Sequence, residues 1–169
     1  MSDHPIDEHG REPVGFHHRP VMVAQVLKVL GEAPGGVILD ATLGGGGHAE
    51  AILEARQDIR IVGIDRDDHA LAAAGSRLAA FGDRIQLVRS AFVDLGSVLD
   101  GLGIDGLAGF LFDLGVSSPQ LDHAQRGFSY REAGPLDMRM DRRQTLTADR
   151  VVNGYDEAAF ARLLVDNAD

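Results

Sequence analysis

Apolar residues along this chain switch between two spacings, and the switches mark the predicted elements. Val21, Val23, Ala24, Val26, Leu27 and Leu30 fall at helical intervals and form one amphipathic face. Pro34-Gly35-Gly36 ends that helix and leads into Val37-Ile38-Leu39, a run too short for a helix and branched enough for a buried strand. Helical spacing resumes at Ala49, Ala51, Ile52, Leu53 and Ala55. Arg60 to Asp65 reads as a second strand. The next helix runs through Ala70, Leu71, Ala74, Leu78 and Phe81, with Asp67 and Asp68 as caps and Gly82-Asp83 as its breaker. Ile85 to Val88 gives a third strand, Val93 to Leu102 a short helix, and Leu107 to Leu114 an apolar strand interrupted only by Asp113. A further helical region starts near Thr147. Strands alternating with short helices predict right-handed crossovers, hence an α/β fold with a parallel sheet covered on both faces.

In such a sheet the ligand sits at the carboxyl ends of the strands, where the strand order reverses. Asp40, Asp65, Phe92 and Asp113 all fall at or just after a predicted strand end. Between Asp40 and His48 the chain reads strand, four-glycine turn, helix. Glycines there can take positive φ and let a ligand approach the backbone, while the next helix presents free N–H groups. Gly44-x-Gly46-x-x-Ala49 fits the dinucleotide fingerprint, and Asp65 lies 21 residues after Gly44, near the expected ribose-binding acid. An NAD-dependent oxidoreductase is one reading. Asp40 favours another. A carboxylate ending the first strand sits poorly beside a pyrophosphate and suits a cofactor with a cationic amino group, such as S-adenosylmethionine. The order Asp-x-x-x-Gly-x-Gly resembles motif I of the class I methyltransferases, with Thr42 where many members carry another glycine.

Composition narrows the class. A length of 169 residues with 44% hydrophobic positions allows a real core. With no cysteine, a disulfide framework, a thiolate zinc site and a cysteine nucleophile are all excluded. No apolar run approaches the ~20 residues that span a bilayer. The polar start, Met1 to Glu12, is unlike a secretory leader, so the expectation is a cytoplasmic protein with no membrane partner. A net charge of -10 argues against general nucleic-acid binding but leaves room for a local basic patch. Four histidines (His4, His9, His17, His18) lie in residues 1–18, irregularly spaced; a flexible tail is expected there, and no metal site is assigned.

Asp113-Leu114-Gly115-Val116-Ser117-Ser118-Pro119-Gln120-Leu121-Asp122 follows the fourth strand. Pro119 restricts Ser118 to extended conformations, and backbone carbonyls around such a kink can accept hydrogen bonds from an amino group. Ser118 and Pro119 are therefore candidate substrate contacts. The loop from Gly127 to Asp141 carries Phe128, Tyr130, Arg131 and Arg139, types that stack on an unpaired base or simply cover a sheet edge.

Taken with His18-Arg19-Pro20-Val21-Met22, Arg126-Gly127-Phe128-Ser129 and Gly134-Pro135-Leu136-Asp137-Met138-Arg139-Met140, these stretches resemble the ribosomal RNA small subunit methyltransferase H family, also called MraW. The resemblance covers nearly everything from His18 onward. It implies a class I, Rossmann-like methyltransferase fold and N4-methylation of a cytidine in the decoding region of 16S ribosomal RNA within the small subunit, from S-adenosylmethionine. Carried onto matching positions, Gly46, Gly47 and His48 would line the methionine end of the cofactor and Asp65 would bond the ribose hydroxyls. Phe92 would lie against the adenine, Asp113 and Gln120 would complete the pocket, and Asp113 would orient the amine or accept its proton. Members of the family run to roughly twice this length, so the expectation is a truncated N-terminal portion. Its parts would be a tail (1–18), a methyltransferase core (19–144) and the start of an inserted helical domain (145–169). A truncated, non-catalytic cofactor-binding domain is the remaining alternative.

Overall fold

A computed structural model describes residues 20–167; the expected tail, with its four histidines and the His18-Arg19 part of the first motif, lies outside the described residues. The described chain falls into two compact units divided after Leu114.

The first unit is the α/β layer structure that the spacing predicts. Four strands, β1 (Gly36–Asp40), β2 (Ile59–Asp65), β3 (Ile85–Arg89) and β4 (Gly109–Leu111), pair in parallel in the order β3-β2-β1-β4. That is the strand order of a mononucleotide-binding Rossmann half with its next strand across the switch point, the Rossmann-like fold of class I methyltransferases. The reversal falls between β1 and β4. The register sets Asp40 against Gly63 on one side and Leu111 on the other, so the strands finish along a common rim.

Side chains on each strand alternate between faces, as the pleat requires. Ile38, Ile59 and Ile61 point into one core with Ile52 and Leu53 of α2 (Gly47–Ala55), Ala74 and Leu78 of α3 (Asp68–Leu78) and Leu30 of α1 (Val23–Leu30). Leu39, Val62 and Ile64 point into the other, closed by Leu95 and Val98 of α4 (Leu95–Gly101) together with Leu102. Complete burial of Ile38, Ile64, Leu53 and Leu78 stabilises by roughly 1.5–3 kcal/mol per side chain.

Three elements differ from the spacing-based reading. The helix expected to reach Phe81 stops at Leu78 and tightens into a 3-10 turn, Ala79–Arg84, where Gly82 takes φ 57. The helix expected from Val93 begins at Leu95, after a 3-10 turn over Phe92–Asp94. The fourth strand, expected over residues 107–114, is only Gly109–Leu111. It pairs with β1 alone, and β1 ends at Asp40 opposite Leu111. Beyond that point the Asp113 N–H turns to the Thr42 hydroxyl, and Phe112 has no strand to join.

The second unit holds α5 (Ser118–Asp122), a 3-10 turn at Ala124–Arg126, α6 (Ala148–Gly154) and α7 (Glu157–Asn167). The Thr147 side chain caps α6 by accepting the Arg150 N–H. The long loop before it is held by its own backbone: the Met138 N–H reaches the Arg126 carbonyl at 3.1 Å, and the Ala148 N–H reaches Asp137 at 2.9 Å. Among the described residues no helix is long and apolar enough to cross a membrane.

Candidate functional site

The rim at the strand ends of the first unit is built by one short passage, Asp40 to His48. β1 ends on Asp40, which is 1% exposed. Its Oδ1 accepts the Thr42 N–H at 3.2 Å, and its Oδ2 has no hydrogen-bond partner among the described residues. Burial, opposed by the Thr42 amide and by His48, pushes this carboxyl up to about 7, and Asp65 and Asp113 push in the same direction as burial. Asp40, His48, Asp65 and Asp113 therefore share one electrostatic neighbourhood.

Thr42 ties this corner together. Its hydroxyl oxygen accepts the Asp113 N–H at 2.6 Å, joining the turn after β1 to the segment after β4. Gly44 follows with φ 53, and its N–H donates to Asp65 Oδ2 at 2.8 Å. The other oxygen of Asp65 accepts the Asp67 N–H at 2.9 Å. Burial raises the Asp65 carboxyl as well, opposed by those two amides. Each Asp65 oxygen keeps a second lone pair, so the carboxylate can hold the turn and still accept from a hydroxyl pair.

The glycines divide by role. A Cβ on Gly46 would sit 2.9 Å from Leu78 Cδ1, and one on Gly47 would sit 2.6 Å from Pro20 Cγ. Both missing side chains are accounted for by close packing against α3 and the N-terminal segment. Among the described residues a Cβ on Gly44 would meet only the Thr42 carbonyl, at 3.9 Å, so the surface of this glycine stays open. The His48 ring is also occupied: Nε2 lies 2.8 Å from the Val21 carbonyl.

Phe92 walls the rim on the β3 side. Its ring meets Phe112 edge-on at 6.1 Å, Phe112 meets Phe110 at 6.0 Å, and the Arg66 guanidinium lies 5.7 Å above Phe92. All four acids and aromatics expected at strand ends thus stand at the end of the sheet. Three participants were not singled out from the sequence as site residues: the Thr42 hydroxyl, Phe112 and Arg66. Thr42 carried a signal, since it replaces a common glycine, and Phe110 and Phe112 share a face by strand alternation. Arg66 carried none.

Gln120, Ser118 and Pro119 belong to the second unit. Gln120 is buried, and its Oε1 accepts the Ser117 N–H at 3.0 Å, shaping the first turn of α5. In the loop that follows, Arg126 is buried, donating to the carbonyls of Arg139 and Met140 and lying 5.9 Å from the Phe128 ring centre. Arg139 grips Asp137 through two bonds of 2.7 Å, which hold the Asp137 carboxyl down at about 2. Phe128 is thus held within its own loop, whereas Tyr130 is 96% exposed.

Chemically, a rim with three carboxylates, one of them carrying an orphaned buried oxygen, fits a cationic ligand better than a pyrophosphate. Among the described residues no three His, Asp or Glu side chains converge as metal ligands.

The ribosomal RNA small subunit methyltransferase H of Heliobacterium modesticaldum is 53% identical over 153 residues, covering 89% of this chain and 49% of that protein. The protein of that name from Thermobifida fusca is 52% identical over 149 residues, covering 86% and 45%. The chain therefore spans about half the length of the curated relatives it matches. Among solved structures, an rRNA methylase from Streptococcus thermophilus superposes with a TM-score of 0.45 at 19% identity, over 59% of this chain and 57% of that one. The model of the MraW methylase family matches residues 15–169, and the chain belongs to that family.

Proposed function

We propose that this chain carries the methyl-donor pocket of an S-adenosylmethionine-dependent ribosomal RNA methyltransferase. The proposed reaction is N4-methylation of a cytidine in the decoding region of 16S ribosomal RNA, on the small subunit. The observation that carries the reading is the buried Asp40 Oδ2, which has no hydrogen-bond partner among the described residues. An amine-bearing donor answers that oxygen, and a pyrophosphate brings it no donor.

Asp40 would hold the methionine ammonium, Asp65 the ribose hydroxyls, and Phe92 one face of the adenine. Gly46, Gly47 and His48 would set the floor at the methionine end through the turn they shape. The cofactor supplies a methyl group on a sulfonium, open to in-line attack by an amine. Asp113, fixed through its backbone by Thr42, would orient the cytosine amine or take its proton. Correct placement of such a pair contributes ~7–11 kcal/mol to lowering the barrier. The role for Gln120 at the cofactor comes from the family resemblance alone, and those for Ser118 and Pro119 at the base rest on that resemblance and on the backbone carbonyls that a proline exposes. The reading of residues 145–169 as the start of a helical insert also comes from the resemblance alone.

The test is incubation of this chain with small-subunit particles and methyl-labelled donor, beside one of its full-length relatives. Label in a 16S cytidine supports the reading. Label from the relative alone leaves this chain as a cofactor-binding domain without turnover.

A further inference from the structure

The two oxygens of Asp40 have unlike surroundings. Oδ1 accepts one amide, from Thr42 at 3.2 Å, whereas Oδ2 accepts nothing from the described residues, and Asp40 is 1% exposed. A carboxylate so placed loses its hydration without recovering it from donors, and the cheapest remedy is to keep a proton. The charged groups that act on it come from three directions: His48 on α2, Asp65 at the end of β2 and Asp113 beyond β4. Two of these three are themselves carboxylates and disfavour a further negative charge. His48 favours it, but its Nε2 is already engaged with the Val21 carbonyl.

We propose that Asp40 makes capture of an ammonium-bearing ligand proton-linked: it holds a proton in the ligand-free protein and releases it to solvent as the ligand's ammonium settles beside Oδ2. The inference rests on the methyl-donor reading above and adds a linkage that this reading does not require. The balance is simple. A neutral carboxylic acid and a ligand ammonium become a carboxylate–ammonium pair and one free proton; no electrons move. Burial, the largest influence on Asp40, pushes its carboxyl to about 7, so the linkage operates around neutral pH. Its sign also discriminates between ligands. A cationic ligand expels the proton, whereas an anionic pyrophosphate at the same place would favour keeping it.

The experiment is calorimetry of this chain with S-adenosylhomocysteine in two buffers of unlike ionisation enthalpy, which counts protons exchanged. Release should approach one proton per ligand at about pH 6 and fall towards none at about pH 8.5. Below about pH 7 the Kd should rise about tenfold for each unit of acidification. Asp40→Asn should bind more weakly, with no proton release and a flat pH profile. Ligand binding in the unsubstituted chain without release, or release that survives Asp40→Asn, would overturn the linkage and leave the methyl-donor reading standing. Failure of a folded chain, checked by circular dichroism, to bind S-adenosylhomocysteine at any pH would overturn both.

Discussion

Thr42 and Asp113 lie 71 residues apart and are joined by one hydrogen bond, from the Asp113 N–H to the Thr42 hydroxyl oxygen at 2.6 Å. The bond links the glycine turn after the first strand to the segment leaving the fourth, across the point where the strand order reverses. Replacing Thr42 with Val keeps the shape and removes the acceptor. The variant should lose about 0.5–1.5 kcal/mol of stability and bind S-adenosylhomocysteine less tightly, while Thr42→Ser retains both. Thermal melts and calorimetry on the two variants check this.

The two oxygens of Asp65 hold the N–H groups of Gly44 and Asp67, and the proposed ribose contact would fall on the same carboxylate. Asp65→Ala should weaken cofactor binding by about 10–100-fold, the loss expected for charge-assisted hydrogen bonds. An unchanged Kd would show that the sugar lies elsewhere.

Much of this corner was legible in the sequence. Asp40, Asp65, Phe92 and Asp113 were each readable as strand-end residues, because an apolar run that stops on an acid or a ring marks where a buried strand reaches the surface. The parallel sheet and its layering followed from the alternation of strands and helices, whereas the strand order β3-β2-β1-β4 did not. What the pattern could not show was the use of the missing side chains. Gly46 and Gly47 leave room for the packing of α2 against Leu78 and Pro20, while a Cβ on Gly44 would have ordinary space around it. Nor could it show the early end of β4, which depends on the length of its partner β1 and on the Thr42 bond. Phe128 and Tyr130 look alike in sequence, but one is held near Arg126 and the other stands free in solvent.

The division among glycines gives a stability prediction. Gly46 (φ 78) and Gly82 (φ 57) both have positive φ, but a Cβ on Gly46 would strike Leu78 and one on Gly82 would meet nothing within 4 Å. Gly82→Ala, at ψ -125, should therefore cost only backbone strain of roughly 1–3 kcal/mol, and Gly46→Ala an αL penalty of roughly 1–2 kcal/mol plus roughly 1–3 kcal/mol from overpacking. A Gly46→Ala loss no larger than the αL penalty in denaturant melts would contradict the packing role.

Asp40 should burden the ligand-free protein. Its carboxyl stands at about 7 when folded against an ordinary aspartate value of 3.8, so between those limits the folded state holds more protons than the unfolded one. Stability then falls as pH rises through that window and levels off above it. Asp40→Asn, which keeps an acceptor for the Thr42 N–H, should be more stable than the parent by roughly 1–4 kcal/mol at about pH 7.5. The difference should shrink towards about pH 4. Denaturant melts at both pH values measure it, and a variant less stable than the parent at the higher pH would contradict the assignment.

The central claim is that the rim formed by Asp40, the Gly44 turn and Asp65 receives a methyl donor. Parallel titrations of this chain with S-adenosylhomocysteine and with NAD test it most directly. The account predicts saturable one-to-one binding of S-adenosylhomocysteine, weakened by Asp65→Ala, and no comparable binding of NAD. Tighter binding of NAD, or S-adenosylhomocysteine binding indifferent to both Asp40→Asn and Asp65→Ala, would contradict it.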